Sequence, residues 1–156
     1  MIEIVPNLFI GNETDAKISI DMVDIVINCT RDISFYSNKP LQIRVAVDDD
    51  GSDYSMACMK RELKDVVTFI SKHIDNNVIL VHCRNGQQRS ATIIAAYLIS
   101  TYSEKSFQNI IQQIKQKKPD AFFYKINFYH PLQEYYNELK TDLASTKLPR
   151  ISNSLT

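Results

Sequence analysis

Val78-Ile79-Leu80-Val81-His82-Cys83-Arg84-Asn85-Gly86-Gln87-Gln88-Arg89-Ser90 is the stretch that decides the fold. It opens with four consecutive branched apolar residues after the turn signal Asn76-Asn77, the pattern of a central parallel strand buried on both faces. It continues through a short loop holding one of only three glycines in the chain. It ends where Ala91–Thr101, apolar on nearly every side, begins a buried helix. A strand entering a helix through so short a loop is the unit of an α/β sheet, and in such sheets ligands bind beyond the carboxyl ends of the strands.

The rest of the chain fits around that unit. Ile2–Ile10 reads as one extended segment closed by the turn signal Gly11-Asn12. Asp24–Asn28 is an apolar run with polar borders, hence a buried strand. Ile43, Val45 and Val47 alternate with Arg44 and Ala46 in a further strand that enters an acidic loop, Asp48–Asp53. Met56, Met59, Leu63, Val66, Val67, Ile70 and Ile74 then recur at helical spacing. Phe107, Ile110, Ile111 and Ile114 form a second stripe, expected to start after a Ser103 cap and to stop before Pro119. Leu132, Tyr135, Tyr136, Leu139 and Leu143 form the last, with Pro131 in a first helical turn. The expected architecture is α/β, a central mostly parallel sheet flanked by helices. One domain is expected over residues 1–144, with a disordered tail over 145–156 that is rich in Ser and Thr.

Composition narrows the function. The chain has 156 residues, 44% apolar and 23% charged, the profile of a globular protein. Lys plus Arg equals Asp plus Glu at 18 each, so the net charge is zero and gives no general attraction to nucleic acid or membrane. Neither is expected as a stable partner, and any preference for an anion must be local. Residues 1–15 lack a basic region followed by an apolar stretch, and no apolar run approaches the ~18 residues of a membrane span. Three widely spaced cysteines suggest neither a disulfide framework nor a metal site, so no metal or cofactor is expected and a reducing, cytoplasmic setting fits.

The chemistry therefore belongs to the loop after Val81. Backbone N–H groups of Arg84, Asn85, Gly86, Gln87, Gln88, Arg89 and Ser90 can converge on one point, where the helix N-terminus adds positive potential. That cradle suits a phosphate dianion. Cys83 at its base lies in a field that favours the thiolate, the nucleophilic form. Arg89 can fold back and hold two phosphate oxygens with its planar fork, a two-point grip that lysine lacks. Arg84 adds a cation beside the nucleophile, aimed either at the ligand or at solvent.

His82-Cys83, five residues, then Arg89-Ser90 resembles the signature of the cysteine-dependent protein phosphatases. More narrowly, the chain resembles the dual-specificity branch and its compact viral members. Val5–Asn12 is similar to that branch's opening strand, Val26–Thr30 to its second strand, and Ser90–Leu98 to its helix after the loop. Asn127 and Gln133 match a polar pair near the family's C-terminus. The resemblance implies a catalytic domain over residues 1–144 that hydrolyses phosphotyrosine, and phosphoserine or phosphothreonine, in protein substrates. It implies attack by Cys83 to form a phosphocysteine, stabilisation by Arg89 and the loop amides, and help from Ser90 to the departing thiolate. His82 would tune Cys83 without acting as a base. Gln87-Gln88 departs from the small or Ser/Asn residues common at those positions, which leaves the support of Arg89 open.

The leaving alcohol needs a proton from a neutral carboxylic acid. The family places this Asp after the strand that precedes the long helix, in phase with the strand's apolar residues. Ile43, Val45 and Val47 extend in phase to Asp49, the residue assigned here. Counting back from the helix favours Asp53 instead, and Asp48 and Asp50 stand beside them. Cys29 reads as core, with oxidative pairing to Cys83 as the alternative. Lys115, Lys117, Lys118 and Lys125 read either as a solvated helix end or as a patch for acidic partners. Phe122, Phe123, Tyr124, Phe128 and Tyr129 read as core or as cleft rim. RNA 5′-phosphates or phosphoinositides are the alternative substrates for the same chemistry, with Arg84 keeping the lipid option open. A phosphate-binding pseudoenzyme is disfavoured because Cys83 and Arg89 are both present.

Overall fold

In the computed structural model, which describes residues 1–147, five strands form one sheet in the order β1-β2-β5-β3-β4. They are β1 (Ile2–Val5), β2 (Leu8–Gly11), β3 (Ile25–Asn28), β4 (Leu41–Arg44) and β5 (Ile79–His82). β1 and β2 are antiparallel, and every other neighbouring pair is parallel. The helices are α1 (Glu13–Ile18), α2 (Asp53–His73), α3 (Arg89–Thr101), α4 (Phe107–Lys117) and α5 (Tyr129–Lys147). No helix among the described residues is long and apolar enough to cross a membrane.

β5 sits at the centre because its side chains are apolar in both directions. Ile79 and Val81 enter the main core, shared with residues of α2, α3, α4 and α5, while Leu80 packs with Ala16 and Val23 on the α1 face. Helices thus cover both faces, unequally. Helix α3 is buried from Ser90 to Ile99, which accounts for its lack of a polar side. It starts seven residues after β5 ends, so burial of both elements fixes the two ends of the intervening loop.

Four sequence expectations need correction. Ile2–Ile10 is a hairpin, because Pro6-Asn7 makes a two-residue turn with Asn7 at φ 69°, a left-handed value that asparagine tolerates. Strand β4 stops at Arg44; Val47 N–H donates to the Val45 carbonyl, so the chain turns through Ala46 although Val45 and Val47 remain buried. Helix α4 is capped by Ser106, whose hydroxyl accepts from Asn109 N–H, and not by Ser103. Helix α5 runs through Lys147, so the expected tail boundary at 145 falls inside it, and 148–156 lie outside the described residues.

Candidate active site

The β5–α3 loop surrounds Cys83, which is only 2% exposed. Gly86 sets the path of the loop: it adopts φ +66°, and a Cβ there would meet the Gly11 carbonyl oxygen at 2.8 Å. Both the backbone angle and the close approach to the end of β2 demand glycine. None of the backbone N–H groups from Arg84 to Gln88 donates to a protein group among the described residues. With the α3 N-terminus behind them, these donors could take up an anion.

Arg89 supplies the sharpest local signal. Its Nη1 donates to the Val47 carbonyl at 3.0 Å, while its buried Nε has no hydrogen-bond partner among the described residues. A buried orphan N–H on a cation costs free energy, and an oxyanion would satisfy it. The support that the Gln87-Gln88 departure leaves open thus comes from Val47, at the entrance to the acidic loop.

Ser90 is fully buried, with its Oγ 3.2 Å from Cys83 Sγ. His82 is buried too, its Nδ1 3.3 Å from the Cys83 carbonyl oxygen. A carbonyl only accepts, so this contact selects the tautomer protonated on Nδ1. Burial pushes the imidazole below its ordinary pKa, which keeps it neutral at pH 7. Cys29 follows β3 as Cys83 follows β5, and its N–H donates to the His82 carbonyl at 2.8 Å. Burial first, and the neighbouring Cys83 second, raise the Cys29 thiol well above its usual range, so it remains protonated.

The side chains of Arg84, Gln87 and Gln88 are committed elsewhere. Arg84 pairs with Asp32 at 2.6 Å and with Glu13 at 3.5 Å. Gln87 donates to Asp120 at 3.3 Å. Gln88 turns to the segment 123–127. Asn85 is exposed. What Arg84, Asn85, Gly86, Gln87 and Gln88 can offer an anion is their backbone N–H groups.

The four candidate acids separate by their partners. Asp48 pairs with Arg31 at 3.1 Å. Asp50 accepts from the Ser52 hydroxyl and N–H and from the Ser55 hydroxyl, which together hold its carboxyl down to about 2. It remains a carboxylate near neutrality and has no proton to give. Asp53 is the first residue of α2. Asp49 is exposed and its Oδ1 accepts from Asn127 Nδ2 at 3.0 Å. Of the Asn127 and Gln133 pair, only Asn127 reaches this region; Gln133 donates to Asn137 along α5.

The remaining candidates divide. Phe122 and Phe128 are core, whereas Phe123, Tyr124 and Tyr129 are exposed. Lys117 Nζ donates to the Ile4 carbonyl, and Lys118 is buried against Asp120, so neither belongs to a free basic patch. Sequence reasoning missed the linking role of Gln88. Its only sequence signal is a long amide where a small residue is usual.

Residues 8–138 match the family described as dual specificity phosphatase, catalytic domain. Protein 123R of Invertebrate iridescent virus 6, named as a tyrosine phosphatase, is 33% identical over 129 residues, covering 79% of this chain and 86% of its own. Mouse dual specificity protein phosphatase 15 is 33% identical over 129 residues; 78% of this chain spans about half, 52%, of that relative. The crystal structure of human DUSP28 superposes with a TM-score of 0.78 at 24% identity, covering 91% of this chain and 99% of the other.

Proposed function

The chain belongs to the dual-specificity phosphatase family of cysteine-based protein phosphatases, and from that premise we propose that it hydrolyses phosphotyrosine, and phosphoserine or phosphothreonine, in phosphorylated proteins through a phosphocysteine formed on Cys83. The carrying observation is the buried Nε of Arg89, without a partner among the described residues, beside a loop of N–H groups equally without one, whose base is Cys83. A trigonal-bipyramidal phosphoryl group would satisfy all of them at once.

Cys83 Sγ, as thiolate, attacks phosphorus in line while the bond to the leaving oxygen breaks. Asp49 gives its proton to that oxygen. Arg89 and the loop N–H groups hold the equatorial oxygens. Water then attacks phosphorus, Asp49 takes back a proton, and Sγ leaves with the Ser90 hydroxyl donating to it across the 3.2 Å contact. Asp49 is favoured because Asp48 is paired with a cation, Asp50 is fixed as a carboxylate and Asp53 is the first residue of α2. Asp49→Asn is expected to lower kcat by about 10²-fold, with Asp48→Asn and Asp53→Asn within a few-fold of wild type. A dominant loss at Asp53 would move the acid there.

Arg84 bears on the substrate. The lipid alternative rested on this cation, yet Asp32 and Glu13 already compensate it. Protein substrates are therefore the better supported class, and the three free cysteines suit a reducing, cytoplasmic setting. Phosphate release is expected to be fastest from phosphotyrosyl peptides and measurable from phosphothreonyl peptides. Higher specificity constants on RNA 5′-triphosphate or phosphoinositide vesicles would reverse the assignment.

A further inference from the structure

We infer that Gln88 is a positioning residue that couples the phosphate loop to the general acid, through the backbone of Asn127 and then its side chain. The inference rests on the assignment of Asp49 as acid. Gln88 is buried at 6% exposure and stands immediately before α3. Its Nε2 donates to the carbonyls of Phe123 at 3.0 Å and Lys125 at 2.8 Å, and its Oε1 accepts from Asn127 N–H at 2.9 Å. Carbonyls only accept and a backbone N–H only donates, so the orientation of the amide is fixed by its partners. The residue itself cannot drift, because its own carbonyl accepts from Thr92 N–H at 2.8 Å and from the Thr92 hydroxyl at 2.7 Å.

The segment 123–127 has no helix or strand to hold it. Gln88 stands in for a neighbouring strand, with the Phe122 N–H adding a bond to the Gln87 carbonyl at 2.8 Å. From this fixed backbone Asn127 Nδ2 reaches Asp49 Oδ1 at 3.0 Å. That contact leaves Oδ2 as the oxygen able to carry the proton. It also strengthens as Asp49 loses the proton, because a hydrogen bond to a carboxylate exceeds one to a neutral acid. The link therefore favours the transition state for leaving-group departure over the ground state. A serine or other short residue at 88 would not span to all three backbone groups.

Leaving-group dependence separates this role from a structural one. Gln88→Ala is expected to lower kcat on phenyl phosphate, a poor leaving group, by about tenfold, and by less than about twofold on an aryl phosphate with an acidic fluorinated phenol. Tungstate affinity should be unchanged, reporting an intact phosphate loop. Asn127→Ala should reproduce the selectivity, and adding Gln88→Ala to Asp49→Asn should cost nothing more on phenyl phosphate. If Gln88→Ala does not fold, Gln88→Glu, which keeps an oxygen for the Asn127 N–H but no donor for the two carbonyls, carries the same comparison. Equal losses on both esters, weakened tungstate binding or full additivity with Asp49→Asn would overturn the coupling alone, provided Asp49→Asn is itself selective. If Asp49→Asn shows no leaving-group selectivity, the assignment of the acid fails and the coupling with it.

Discussion

Cys83→Ser is expected to lower kcat toward any aryl phosphate by about 10⁴-fold or more, while tungstate binds within a few-fold of its wild-type affinity. The substitution exchanges one small buried atom for another and leaves Arg89, the loop amides and the α3 N-terminus in place. Binding of an oxyanion, which uses those donors, survives. Turnover does not, because an alcohol is a far weaker acid than a thiol, and neutral serine is a poor nucleophile toward phosphorus. Isothermal titration with tungstate and a fixed-time phosphate assay check the two halves separately. Turnover within tenfold of wild type would remove Cys83 from the nucleophile's role, whatever the affinity. Cys29, fully buried and kept protonated by that burial, cannot substitute for it.

The parts of this molecule that could be read from sequence are those whose cause is local. Val78–Val81 is apolar in both directions because β5 is covered on both faces, and Gly86 stands where φ is positive. Cys83, Arg89 and Ser90 lie within one loop and one helical turn, so their spacing is their geometry. The six-residue α1 went unread, although Asn12 and Asp15 form its capping box, because it is too short to show an apolar stripe. The hairpin at Pro6-Asn7 was lost because two four-residue strands of similar composition read as one. Phase along the strand pointed to Asp49 for a reason the backbone does not honour, since the chain turns between Val45 and Val47. Asp49 is contacted from Asn127, 78 residues away, whose own backbone is held from Gln88, 39 residues away. Such links leave no periodicity and no spacing in the chain.

The same long-range economy governs Arg89, and Arg89→Lys is expected to cost about 10³-fold in kcat/KM despite conserving charge. The guanidinium does two tasks with separate nitrogens. Nη1 holds the Val47 carbonyl at 3.0 Å, and Nε, buried and without a partner among the described residues, is the nitrogen that the proposed mechanism gives to the phosphoryl oxygen. A lysine ammonium is one point. If it stays with Val47 the oxyanion loses its clamp; if it moves to the oxyanion the Val47 carbonyl is left unpaired at a cost of about 1–3 kcal/mol. In the second case the Val47 segment and the phosphate loop also lose a direct tie, with Asp49 only two residues beyond Val47. Tungstate affinity should therefore fall together with turnover, the opposite of the Cys83→Ser outcome, and thermal denaturation should report only a modest loss of stability. Retention of more than a tenth of wild-type kcat/KM, or undiminished tungstate binding, would mean that charge alone suffices at this position. The paired nitrogens of Arg89 would then have no catalytic purpose.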